Sequence, residues 1–251
     1  MTARTILAIA AVMIAPPGLA ACGTAGAVTQ LGKLKGVAGT CPHHAHVAAY
    51  VAWDARRALR GRRVAAARLG SLENTAEKVA ACGGVLRVVA FGPTAASTAR
   101  LYDGELRPRG ATENARLLRV PHLVAQVREH VEEALPGALA ELSGRGADPL
   151  SQFTAAEQFR RQLGPGYALH VVIETSGFVR GFDAATADHT TNEALPDLRG
   201  ADVVVAGIGK AGRAATPSRV VEALRRFYGR ICERTRADSC LVITDLAPLE
   251  G

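Results

Sequence analysis

Apolar residues in this chain fall into short uninterrupted runs, separated by longer stretches in which they recur every three or four positions. His46–Trp53, Val85–Phe91, Tyr167–Glu174 and Asp202–Ala206 are runs of the first kind, and each predicts a strand buried on both faces. Ala99–Leu106 predicts a weaker strand and Leu241–Thr244 a short last one. Between the strands lies helical spacing. An alanine-rich, basic stretch runs from Arg56 to Cys82 and stops at Gly83-Gly84. Val120, Val124, Val127, Val131 and Leu135 share one face of a long helix. Asp148-Pro149 opens another, with Leu150, Phe153, Phe159 and Leu163 on its apolar side, and Thr216-Pro217 opens a last one carrying Val220, Val221, Leu224, Phe227 and Ile231. Only residues 92–98 separate Val85–Phe91 from Ala99–Leu106, too few for a parallel crossover, so these two runs predict an antiparallel hairpin at a sheet edge. The alternation as a whole predicts a three-layer α/β domain: a mostly parallel central sheet with one antiparallel edge strand and helices on both faces.

The amino-terminal residues follow another plan. Arg4, the apolar stretch Ile6–Ala15 and the breaker Pro16-Pro17-Gly18 have the layout of an export signal, too short to span a bilayer permanently. The tetrad Leu19-Ala20-Ala21-Cys22 resembles the lipobox of bacterial lipoproteins. That resemblance implies lipid attachment at Cys22 and a mature chain held on the outer face of the cell membrane. The alternative is an ordinary secretion signal cut after Ala21, and both export the protein. Residues 1–21 are thus expected to be a signal peptide, residues 22–40, rich in Gly, Ala, Thr and Lys, a flexible tether, and residues 41–251 a single domain.

Composition sharpens this picture in three places. Hydrophobic residues form 48% of the chain and aromatics 4%, so the core is expected to be Ala, Val and Leu. The net charge of +7 suits anionic head groups and wall polymers, which an exported protein meets first. Arg56, Arg57, Arg60, Arg62 and Arg63 have no aromatic interleaved for base stacking, so they read as a solvated helix face and nucleic acid is not expected. Of the five cysteines, Cys22 belongs to the lipobox, and an even number remains for an oxidising compartment. Position pairs Cys41 with Cys82 and Cys232 with Cys240, bridges whose loop-closure entropy contributes about 4 and about 2.5 kcal/mol. A metal site from Cys41, His43, His44 and His46 competes for the first pair, but in an extended lead-in alternate side chains point apart.

The order of strands, with a hairpin after the first crossover, is similar to the von Willebrand factor type A domain, over about His46 to Asp245. In that family an apolar strand ends in Asp-x-Ser-x-Ser, a second loop supplies a threonine and a third an aspartate, together holding a divalent metal. The resemblance assigns the metal position to Asp54, Asp148 and Ser176, with Mg²⁺ or Mn²⁺ as the ion. Each loop departs from the pattern. Asp54-Ala55-Arg56-Arg57-Ala58 keeps the aspartate and loses both serines, Gly146-Ala147-Asp148 lacks the threonine, and Glu174-Thr175-Ser176-Gly177 puts a serine where an aspartate belongs. An arginine beside Asp54 competes with a metal by pairing with the carboxylate. Asp54 and Asp148 also have structural explanations as helix caps. A degenerate site without metal, serving as a binding surface for a protein or envelope component, is therefore the expectation.

Gly207-Ile208-Gly209-Lys210-Ala211-Gly212 satisfies G-x-G-x-x-G after a strand, raising a nucleotide-binding enzyme as the rival. Its place late in the chain, with one strand to follow, is wrong for a dinucleotide fold. No G-x-S-x-G or H-E-x-x-H occurs, and His122, His130, His170 and His189 have no local nucleophile arrangement. His170, on a buried strand, reads as a hydrogen-bonded core residue. The expectation is a non-catalytic protein.

Overall fold

The computed structural model describes residues 24–56, 61–142, 146–179, 182, 194–210 and 215–246. The export signal and Cys22 lie outside these residues. Six strands form one sheet in the order β3-β2-β1-β4-β5-β6: β1 (His46–Asp54), β2 (Gly84–Phe91), β3 (Thr98–Leu106), β4 (Tyr167–Glu174), β5 (Ala201–Ala206) and β6 (Ser239–Val242). All neighbours pair in parallel except β2 and β3, which pair antiparallel with Gly84 opposite Leu106 and Phe91 opposite Thr98. The three-layer, mostly parallel arrangement with a reversed edge follows from the run lengths and from the short connection at residues 92–98.

Helices cover both faces. On one side Val47, Ala49, Val51 and Trp53 pack with Leu72, Ala76 and Val79 of α2 (Arg62–Cys82) and with Val120, Val127 and Val131 of α4 (Val120–Glu141). On the other side Ala48, Tyr50 and Ala52 meet Phe153, Ala156 and Phe159 of α5 (Pro149–Leu163) and Leu224, Phe227 and Ile231 of α6 (Ser218–Thr235). Central β1 is therefore buried at every residue after His46, which is why its sequence is an unbroken apolar run rather than an alternating one. The Gly83-Gly84 stop has a double cause. Gly83 takes the left-handed conformation that ends α2, and a Cβ on Gly84 would stand 2.0 Å from the carbonyl oxygen of Val47.

Residues 24–39 are not a tether. They form α1 (Thr24–Gly39), a helix whose Leu34 is 1% exposed and packs with Leu31 and Ala38 onto the α2 side of the core. Lys33 Nζ pairs with Glu77 at 2.9 Å, and the Cys41–Cys82 disulfide fastens the segment after α1 to the end of α2. The apolar stripe of α1 is too thin to announce a helix by spacing, and docking supplies the stability that its composition does not. Residues ahead of position 41 therefore belong to the folded body, with α1 (Thr24–Gly39) packed on it. A short α3 (Glu113–Leu117), capped by Thr112, precedes α4. Cys232 and Cys240 form the second disulfide, joining α6 to β6. Among the described residues no helix is long and apolar enough to cross a membrane.

Candidate functional site at the carboxyl edge of the sheet

Parallel pairing of β1 with β4 sets Trp53 beside Glu174, so Asp54 and the segment Thr175–Gly177 leave the sheet side by side at its carboxyl edge. Asp54 is fully buried. Its carboxylate accepts hydrogen bonds from Thr175 Oγ1 at 2.8 Å and from the Arg56 backbone amide at 2.9 Å. Arg56 then folds back onto it. Nε lies 3.0 and 2.9 Å from the two carboxylate oxygens, and Nη2 forms a close ion pair with Oδ2. The same guanidinium donates from Nη2 to Ser176 Oγ at 2.7 Å and to Thr175 Oγ1 at 3.2 Å, and from Nη1 to the Phe178 carbonyl at 3.2 Å.

Asp54 and Ser176 are therefore brought together, as the resemblance implied, but around the cation of Arg56. Their oxygens face a guanidinium, and this donor set as arranged does not fit a divalent ion, whose coordination needs those same oxygens. Asp148 stands at the same edge, its amide donating to the Gly92 carbonyl just past Phe91, the partner of Asp54, but among the described residues its carboxylate makes no hydrogen bond to this cluster. Among the described residues its carboxylate accepts only from the Ser151 amide, at 3.2 Å, which caps α5. No group of three or more His, Cys, Asp or Glu among the described residues is placed to hold a metal. The alternative ligand set around His43 fails for a covalent reason, since the Cys41 sulfur is in a disulfide.

The expectation of a solvated helical arginine face also needs correction. Arg56 precedes the helix and its side chain is only 16% exposed, whereas Arg62 and Arg63 lie exposed in the first turn of α2. Arg57 and Arg60 lie outside the described residues. A buried acid two positions away outweighs helix propensity at Arg56, because a carboxylate left unpaired in the interior is costly.

A second buried layer supports the first. Arg68, from α2, donates through Nη2 to the carbonyls of Asp54 at 3.0 Å and Glu174 at 3.2 Å. Its Nε stands 3.4 Å from Glu174 Oε2, and its guanidinium carbon 5.9 Å from the Trp53 ring centre. Arg68 thus ties the ends of β1 and β4 together beneath the rim. Burial raises the Glu174 carboxyl to about 7, against the opposing pull of Arg68 and the Ser71 hydroxyl. Burial likewise lowers Arg68, against the pull of Glu174 and Asp54. Spacing did not mark Arg68 or Thr175 as site residues. The available signal was chemical: an acid ending an apolar strand, as Glu174 does, demands a partner.

The glycine loop has a different purpose. Gly207 and Gly209 have φ of 87° and 83°, and a Cβ on Gly209 would meet Val221 at 2.7 Å. The amides of Gly207, Ile208, Gly209 and Lys210 donate to the carbonyls of Asp245, Ile243, Ser176 and Gly207. A phosphate cradle needs free amides, and these are all engaged. Lys210 Nζ pairs with Asp245 at 2.7 Å, and that bond holds the Asp245 carboxyl below the usual range. Gly212 and His189 lie outside the described residues. His170 differs from the expectation of a hydrogen-bonded core residue. Among the described residues its Nδ1 has no hydrogen-bond partner, and burial, with Lys78 adding to it, lowers the ring to about 4, so it is neutral at physiological pH.

A sheet ordered β3-β2-β1-β4-β5-β6, reversed only at β3, with Asp54, Thr175 and Ser176 meeting at its carboxyl edge, decides the fold. It is von Willebrand factor type A-like. No family model matches the sequence, and no curated protein does. Among solved structures, proximal thread matrix protein 1 from the mussel byssus is similar at a TM-score of 0.46 and 11% identity, over 80% of this chain and 44% of that one. The pilus adhesin SpaC from Lactobacillus rhamnosus GG, in its open conformation, gives 0.45 and 11%, over 80% and 28%. The ArnB paralog VWA2 from Sulfolobus acidocaldarius gives 0.42 and 10%, over 80% and 42%. This chain spans less than half the length of each of these proteins.

Proposed function

We propose that this chain is a lipid-anchored, extracytoplasmic protein whose type A-like domain binds another protein or an envelope component, without catalysis and without a metal ion. The observation that carries the reading is the guanidinium of Arg56, bonded at once to Asp54, Thr175 and Ser176. A fixed cation in that position supplies the charge that an acquired one supplies elsewhere, so the rim loops are held in place under any metal concentration. The loops at the carboxyl ends of parallel strands are where such folds place recognition. The engagement of the four described amides of the glycine loop, Gly207 to Lys210, supports a binding protein over a nucleotide-dependent enzyme.

Titration of Mg²⁺ or Mn²⁺ tests the rim: no saturable binding is expected, and binding that Asp54→Ala abolishes would restore the metal-dependent reading. The anchor is tested at Cys22→Ser, which is expected to release the protein from membranes; unchanged retention would remove lipidation from the proposal. A pull-down from envelope extract, compared between the intact rim and Arg56→Ala, identifies the partner.

A further inference from the structure

We infer that the end of the sheet opposite the Asp54 rim is a contact surface for a bilayer carrying anionic phospholipid. Strand β3 leaves the sheet at Leu106, opposite Gly84 at the start of β2, so the segment that follows lies at the amino edge, roughly 26 Å from the rim along β1. A cleft of about 460 Å³ opens there, lined by His46, the Cys41–Cys82 disulfide, Arg107, Glu113 and Arg116 among others. Arg107 is paired with Glu105 at 3.1 Å. Arg109, Arg116 and Arg119 are exposed, and they make no ion pair with the described residues. Arg119 Nη1 donates to the Arg109 carbonyl at 2.8 Å, which holds the two ends of this segment together.

Helix placement favours one of these cations, Arg116 in the last turn of α3, and does not favour Arg119. Arg119 stands at the amino-terminal end of α4, a helix with no acid in its first turn, where the helix dipole opposes positive charge. Between Arg116 and Arg119 lies Leu118, 55% exposed; the described residues show one other large exposed hydrophobic, Leu241. Arginines alone would suit any anion. An exposed leucine among them suits a membrane surface, where the apolar side chain enters the boundary of head group and acyl chain while the guanidinium groups meet lipid phosphates. A free phosphate would gain nothing from Leu118. This surface does not depend on the rim or on a thioether at Cys22.

The experiment uses the full chain carrying Cys22→Ser, so that no attached lipid contributes, in co-sedimentation with vesicles of phosphatidylcholine alone or mixed with phosphatidylglycerol. Any insertion of the amino-terminal apolar stretch contributes equally to both vesicles and to every variant. The expected result is tighter binding to the phosphatidylglycerol vesicles that weakens with salt. Arg109→Gln and Arg116→Gln should each weaken it about fivefold, and Leu118→Ser about tenfold, with unfolding temperature unchanged because all three side chains are exposed. Equal binding to both vesicles, or full retention by the arginine variants, overturns the inference. Loss in the arginine variants but not in Leu118→Ser also overturns it, in favour of a soluble anionic polymer. Displacement by dissolved glycerol phosphate would reassign the cleft to a free phosphate.

Discussion

Replacing Arg56 by alanine is the most informative perturbation of this molecule. Asp54 is fully buried and Arg56 nearly so, so the substitution leaves an interior carboxylate with Thr175 and one backbone amide as its remaining donors. Removing one partner of a buried ion pair costs about 3 kcal/mol or more, because the other charge stays behind unpaired. For a domain of this size that corresponds to a fall of about 10 °C in unfolding temperature. Ser176→Ala, which removes a single neutral acceptor from the same guanidinium, should cost only about 1.5 kcal/mol. Urea unfolding of both variants, followed by circular dichroism with and without Mn²⁺, reads the difference directly. The wild-type midpoint should be indifferent to Mn²⁺ and to chelator, since the oxygens are already engaged. In Arg56→Ala those oxygens are released, and Mn²⁺ should recover part of the loss. If Arg56→Ala unfolds at the wild-type midpoint, or if Mn²⁺ stabilises the wild type, the guanidinium does not hold the rim and the reasoning fails.

Other parts of the structure make equally definite demands. The Glu174 carboxyl is raised by burial from 4.5 to about 7, so the stability of its neutral form is complete below pH 4.5 and is lost as pH rises through 7. That loss is about 3 kcal/mol, and Glu174→Gln should flatten the stability profile between pH 5 and 8; an unchanged slope would place the titration elsewhere. Cys41→Ser with Cys82→Ser should cost about 4 kcal/mol of unfolding free energy and Cys232→Ser with Cys240→Ser about 2.5 kcal/mol, read from urea unfolding, with intact-mass measurement after alkylation reporting the thiols. Leu34→Ala should cost about 3 kcal/mol if α1 is docked as described, whereas a tether would tolerate it without change.

Much of the architecture was legible in local pattern. Unbroken apolar runs identified β1, β2, β4 and β5 because a strand covered on both faces has no polar positions to alternate with. The short link at residues 92–98 forced the hairpin by chain length alone, and Asp148-Pro149 announced α5 through the chemistry of a helix start. Asp54 and Ser176 were named as neighbours from a resemblance in strand order, and the structure places them around one guanidinium. Helix α1 escaped notice because its stability comes from Leu34 docking on distant α2 and from the bridge between Cys41 and Cys82, not from its own periodicity. Arg56 and Arg68 looked alike, as arginines in a basic stretch. Only the folded chain turns one inward onto Asp54 and draws the other beneath Glu174, whose partners lie more than a hundred residues away. Sequence by itself determined which strands of the sheet must be buried, where α2 ends and where α5 begins, since apolar runs and capping are properties of neighbouring residues. The tertiary structure alone decided which charges meet, because the cost of an unpaired interior carboxylate is set by residues that spacing along the chain does not connect.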